Sequence, residues 1–312
     1  MFRLEWANQQ PIPFRFGRLL GKGKFGEVYE GENRETGEKR ALKVLKKCSR
    51  ITASERTVLT QLPKHPNIVH LEGSFDLGED LCVFVLELCD TNLEEYIKKQ
   101  GGTLESQEAR MVMKGMTEGL RALRENHIFH RDLKSENIFL IIRKDGVLVP
   151  KLGDFGLAKQ LTREDELFYS CTGSPLYVAP EIWSQAGYTT KSDIYSCGVV
   201  LYEMLTGNPP FHYSRNKLQL RRLALFSGIT ENDVEKLTSL DGEGKSLLRG
   251  LLQKCPQNRI GWEEFFAHPW FAGESSERPG PSCAAEYRKI VRAASPLPLK
   301  FDEKQPATEV VF

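Results

Sequence analysis

The stretch from His130 to Gly156 constrains this chain more than any other. It reads His130-Arg131-Asp132-Leu133-Lys134-Ser135-Glu136-Asn137, then an apolar run, then Asp154-Phe155-Gly156. The apolar run spans residues 137–149 and turns at Asp145-Gly146, which predicts a hairpin with a polar loop at each end. Asp132 has the chemistry to accept a proton from an attacking hydroxyl. Lys134 adds a cation beside it. Asn137 and Asp154 are oxygen ligands suited to hard cations.

A glycine run, Gly21-Lys22-Gly23-Lys24-Phe25-Gly26-Glu27-Val28-Tyr29, lies upstream. Three glycines let a backbone approach a triphosphate without Cβ clashes. The spacing alone does not separate such a loop from an ordinary glycine hairpin. The element after the glycines reads as a strand rather than a helix, which disfavours a dinucleotide-binding turn and favours a flap over phosphates. In the next strand, Arg40-Ala41-Leu42-Lys43-Val44-Leu45, alternation puts Ala41 and Lys43 on one face. A small residue beside a lysine suits a flat base next to a phosphate. Gly242-Glu243-Gly244-Lys245-Ser246 mimics a phosphate-loop ending, but Ser239 stands where its leading glycine belongs. It reads as a loop opening a helix over residues 246–253.

Composition excludes several classes. The 312 residues permit two lobes or two small domains, and a net charge of +1 favours neither nucleic acid nor a membrane surface. Seven cysteines are scattered without a C-x-x-C pair, so reduced thiols in the cytoplasm or nucleus are the simpler expectation. The longest apolar run, near residues 81–88, is broken by Glu87 and too short to span a bilayer.

Phosphoryl transfer needs charge neutralisation and an aligned nucleophile more than covalent chemistry. The order H-R-D-L-K-x-x-N then D-F-G, behind the glycine flap and the A-L-K strand, resembles the eukaryotic protein kinases. The resemblance covers residues 14–271. It implies an α+β bilobal fold, with a small antiparallel β-rich N-lobe over 14–88 and a larger, mainly α-helical C-lobe over 89–271. Residues 1–13 then form an irregular arm, and 272–312 a partly helical or disordered tail whose final Val310-Val311-Phe312 is either a peptide ligand or a frayed end.

The resemblance also implies ATP and Mg2+ as cofactors and proteins as substrates. Asp132 is the implied catalytic base, with Lys134 beside it. Asn137 and Asp154 are the metal ligands. Lys43 pairs with the α and β phosphates and with Glu55. Those two are only twelve residues apart, a short link, so an exposed Glu55 is the alternative. Gly21, Lys22, Gly23, Lys24, Phe25, Gly26, Val28 and Ala41 enclose the nucleotide, with Leu86 as gatekeeper and Glu87 and Cys89 in the hinge. Asn92 falls where an acidic ribose or substrate contact is common. Asp193 is expected to tie down the catalytic-loop backbone, and Arg259 to pair with Glu181 at the end of the activation segment. His268 is expected to cap or pack.

Lys134 and Ser174 are similar to the serine/threonine form of the family. The run 171–175 and the ending 263–269 resemble autophagy-initiating kinases and, more loosely, calmodulin-dependent types. Arg131 lacks an obvious carboxylate, which points to a phosphorylated activation segment, made by an upstream kinase or by autophosphorylation. Ser170 is the first candidate there; Thr172, Tyr169 and Thr162 are weaker ones. Glu136 and Glu203 either face a substrate's basic residues, giving a mild basic preference, or pair internally; the autophagy-type likeness points instead to apolar neighbours. A scaffold that keeps the fold without transfer is the competing class.

Overall fold

Strands with apolar residues on alternate positions build the first lobe. The structure is a computed structural model that describes residues 4–23, 26–163, 165–184 and 187–273. The arm is not irregular throughout: residues Leu4–Gln9 form a short helix, α1. It is held because the Asn8 amide donates to Phe16 O at 3.0 Å and accepts from Phe16 N at 2.7 Å. Ala7 is buried among Phe14, Phe16, Tyr29 and Leu42. Strands β1 (Phe14–Lys22), β2 (Gly26–Asn33) and β3 (Lys39–Lys46) are followed by helix α2 (Arg50–Gln61). Strands β4 (Leu71–Leu77) and β5 (Leu81–Leu86) complete an antiparallel sheet in the order β1-β2-β3-β5-β4. Alternation along β5 sends Val83 and Val85 to the α1 side, and Cys82 and Phe84 to the core shared with α2.

The hinge leads through a two-residue strand β6 (Thr91–Asn92) into α3 (Leu93–Lys99). Asn92 caps that helix by accepting from Glu95 N at 2.8 Å. Helix α4 (Ser106–Glu125) buries Val112, Met113, Met116, Leu120 and Leu123, a stripe of three- and four-residue steps. The short strands β7 (Ile128–Phe129) and β10 (Lys159–Gln160) pair with each other and flank the hairpin of β8 (Ile138–Ile142) and β9 (Leu148–Leu152). Gly146 takes the positive φ its turn requires.

Helices α5 (Pro180–Ser184) and α6 (Lys191–Thr206) come next, the second buried on nearly every face. Helix α7 (Lys217–Arg222) runs directly into a single π-helical turn, Leu223–Ser227. Then come α8 (Glu231–Glu235), α9 (Gly242–Leu251) and α10 (Trp262–Phe266). Helix α9 starts at Gly242, not at Ser246, because Asp241 caps it by accepting from Gly244 N at 2.7 Å. The glycine-lysine-serine lookalike is therefore wound into a helix. His268 caps the last turn by accepting from Trp270 N. The expectations for residues 274–312 lie outside the described residues.

Candidate active site

The catalytic loop is suspended from buried neighbours. Asp193, in the first turn of α6, accepts from His130 N and Arg131 N, each at 3.1 Å. Asp132 N donates to His130 Nδ1, so the other ring nitrogen carries the proton and donates to Gly153 O at 3.1 Å. One neutral tautomer meets both demands, and burial lowers the imidazole's proton affinity. Arg131 and Asp154 take positive φ angles, 70° and 57°. Such strain in non-glycine residues persists where surrounding bonds over-determine it.

Asp132 Oδ1 accepts from the backbone N and the hydroxyl of Ser174, at 2.9 and 2.8 Å. The Asn137 amide nitrogen donates to Asp132 O at 2.9 Å and Asp132 Oδ2 at 3.1 Å. That use of nitrogen leaves the amide oxygen as the available ligand. Lys43 Nζ sits 2.6 Å from Glu55 Oε1 and 2.8 Å from Asp154 Oδ1. The short link therefore closes, and Glu55 is buried rather than exposed. Burial works against charge on Lys43, but Asp154 and Glu55 outweigh it and raise its proton affinity. Asp154 resists burial through the same lysine and stays below its ordinary value. Glu55 is pushed up by burial, only partly relieved by Lys43, and its Oε2 has no partner. Lys43 thus bridges the two carboxylates.

Ala41 lies opposite Leu86 in the β3–β5 register, at the mouth of the hinge. Glu87 N donates to His70 O at 3.0 Å, and its carboxylate meets buried Lys151 at 2.9 Å. The Cys89 thiol is pushed up to about 12 by burial and by nearby Glu87. The three flap glycines are not equivalent. A Cβ on Gly26 would lie 2.2 Å from Val44 O, so this glycine serves close strand approach, whereas Gly21 faces open space. Lys22 pairs with Glu27 across the hairpin, beside Val28. Lys24 and Phe25 lie outside the described residues.

The substrate-side residues divide. Lys134 and Glu136 approach to 3.7 Å, and Glu136 Oε2 is buried with no partner. Glu203 is a correction to the cleft-facing expectation. It is buried, and its oxygens accept from Ser135 and Tyr177 hydroxyls, both at 2.9 Å, which is the internal pairing. Burial pushes its carboxyl to about 7 from an ordinary 4.5. A proton held more tightly in the folded state stabilises below pH 4.5, and that contribution is lost as pH rises towards 7. Glu203→Gln is thus expected to flatten the stability profile between these values, by up to about 3 kcal/mol. Urea midpoints at pH 5 and pH 8 check this; parallel profiles for both proteins would mean that Glu203 is ionised when folded.

Arg131 donates to Ser170 Oγ at 2.5 Å and to Tyr188 OH at 2.9 Å, while its buried Nε has no partner. Thr172 donates to Ser170 at 3.2 Å. The sequence reading missed Tyr188, which donates on to Ser170 O at 2.8 Å, and Lys151; neither stands in a telling motif. Ser135 stands inside the catalytic run, but nothing there marks it as a partner of Glu203 and Tyr177.

Two lobes meeting at a catalytic loop, a paired lysine and a cation-ready Asn–Asp set define a class. The protein kinase domain family matches residues 14–271, and the chain belongs to that family. Its relatives place it on the serine/threonine side. Human serine/threonine-protein kinase ULK3 is 36% identical over 272 residues, 85% of this chain and 56% of that protein. Drosophila melanogaster serine/threonine-protein kinase fused is 34% identical over 260 residues, 82% of this chain and 31% of that protein. Cell division control protein 7 of Schizosaccharomyces pombe is 34% identical over 269 residues, 84% of this chain and 24% of that protein. The chain thus spans between about a quarter and somewhat over half of these relatives.

Proposed function

We propose that this chain transfers the γ-phosphate of ATP to serine and threonine hydroxyls of proteins. Two hydrogen-bonded sets carry the reading: Lys43 with Glu55 and Asp154, and Asp132 with Asn137. Asp132 accepts the hydroxyl proton as its oxygen bonds to phosphorus and the bond to the bridging oxygen breaks. Lys134 and Lys43 hold positive charge beside that bond change. Their carboxylate neighbours keep both ammonium groups protonated against the cost of burial. The residues fit Mg2+. Asn137 and Asp154 offer oxygen, and among the described residues no group of three or more His, Cys, Asp or Glu forms a closed metal cage. Mg2+ favours one or two protein oxygens, completed by water and phosphate, and supplies charge neutralisation when bound.

The scaffold alternative drew on the short Lys43–Glu55 link, and the 2.6 Å contact takes that support away. Ser170, seated on Arg131, is the proposed switch: a phosphate there would gain charge-assisted bonds and meet the unpartnered Nε. Glu136 alone remains to favour a basic residue two or three positions before the target hydroxyl. Among the described residues no helix is long and apolar enough to cross a membrane; a cytoplasmic or nuclear setting is part of the proposal.

A positional peptide array with Mg-ATP tests the activity. Serine or threonine acceptors with a modest basic preference are expected, and no transfer to any peptide would restore the scaffold. On the same array, Ser170→Ala or phosphatase treatment is expected to lower rates about tenfold or more, the worth of one charge-assisted bond. Unchanged rates would remove Ser170 from the switch.

A further inference from the structure

Residues 208–230 contain four cations, Arg215, Lys217, Arg221 and Arg222, and no acid. Their helix, α7, continues into the π-helical turn Leu223–Ser227, a rare geometry that is common at functional places. The inward side of this segment is settled. Leu220 and Ala224, four residues apart, are buried with Val178, Ile182 and Trp183, directly after the Ser174 loop. The outward side is not. Leu218 and Phe226 are 76% and 74% exposed, the two highest values among the large exposed hydrophobic residues. Arg222 lies between them at four-residue steps, so the three share one stripe. Arg221 and Arg222 are exposed, and among the described residues neither has an ion-pair partner.

A solvated apolar pair flanked by unpaired guanidinium groups is complementary to carboxylates that carry apolar neighbours. The position favours a substrate over any other occupant. Cys171 and Leu176, which bracket Ser174, pack against the same buried cluster as Leu220 and Ala224. We propose that the outward face of α7 and its π-helical turn is a docking surface for an acidic, apolar-bearing segment of a protein substrate. The apolar side chains cover Leu218 and Phe226, and the carboxylates meet Arg221 and Arg222. That the bound protein is a substrate rests on the phosphotransfer reading; the binding itself does not.

Fluorescence anisotropy without ATP measures the binding, using labelled decapeptides with two leucines or phenylalanines and zero, two or four glutamates. Affinity is expected to rise at least tenfold across that series and to fall with salt. Arg221→Glu with Arg222→Glu should abolish the dependence on glutamate, and Leu218→Ser with Phe226→Ser should weaken every peptide. These exposed positions should leave the melting temperature unchanged. Affinity independent of glutamate, or binding unaltered in both variants, would overturn the proposal. So would arginine-dependent capture by phosphatidylserine vesicles without peptide binding, which would make the face a membrane contact. Fusing the four-glutamate peptide behind a serine acceptor should lower KM about tenfold, with kcat unchanged, in the unmodified protein only. A fused peptide that binds without being phosphorylated leaves docking standing and removes the phosphotransfer reading instead.

Discussion

Asp132→Asn is expected to lower turnover by about 10³-fold, the typical worth of a positioned general base. Nucleotide affinity should hold, because Asp132 is bonded to Ser174 and Asn137 and does not touch Lys43. Asparagine keeps an oxygen for Ser174, so the loop retains its shape while losing the proton acceptor. Asp154→Ala makes the contrast. It removes a cation ligand and frees Lys43 from one of its two carboxylates, so transfer and Mg-dependent nucleotide binding should fall together. Lys43→Met should also abolish transfer, leaving Glu55 buried without its cation. Single-turnover rates and equilibrium nucleotide titrations separate these cases. An Asp132→Asn protein with full turnover would refute the base assignment.

The second large effect concerns stability. Arg259 is buried and grips Glu181 with two bonds, at 2.6 and 2.8 Å. It also donates to Gln253 O at 3.0 Å and Lys191 O at 2.8 Å, and lies over the Tyr195 ring. Arg259→Ala would strand a buried carboxylate and several carbonyls, costing about 3–5 kcal/mol. Domains of this kind hold only about 5–15 kcal/mol, so the variant should unfold early in denaturant. Replacing both partners by apolar residues, Glu181→Met with Arg259→Leu, should recover much of the loss, because no charge is left unpaired. If the single variant unfolds at the original denaturant midpoint, the pair adds no stability.

Motifs whose chemistry requires fixed residue types were readable before any fold was known. Asp132, Asn137 and Asp154 stood out by their spacing, whereas the bonds from Asp193 to the catalytic-loop backbone were expected from the family resemblance alone. What stayed hidden depends on three-dimensional neighbours. Nothing in the sequence distinguishes a glutamate facing the cleft from Glu203 facing Ser135 and Tyr177. Arg131 could be read as lacking a carboxylate, but Tyr188 comes from 57 residues away. The arm hid its helix because six residues offer little periodicity, and its anchor is one amide pairing with Phe16. The start of α9 was misplaced because two glycines in its first turn masked the aspartate cap. The exposed face of α7 was invisible for the opposite reason: its leucines look alike until half of them are buried.

The link between β3 and α2 has a mechanical consequence. Three residues, Lys47, Cys48 and Ser49, join the strand to the helix. Each end is pinned: Lys47 N donates to Asp80 O at 2.8 Å, Thr52 Oγ1 donates to Lys46 O at 2.8 Å, and Ser49 caps the helix. Three residues at full stretch reach only about 10 Å, and this tether has little slack to release. Helix and sheet must therefore travel as one rigid body, and Glu55 cannot be withdrawn from Lys43 by swinging α2 outward unless its first turn unwinds. On the proposed reading, switching therefore falls to Ser170, which accepts from Arg131.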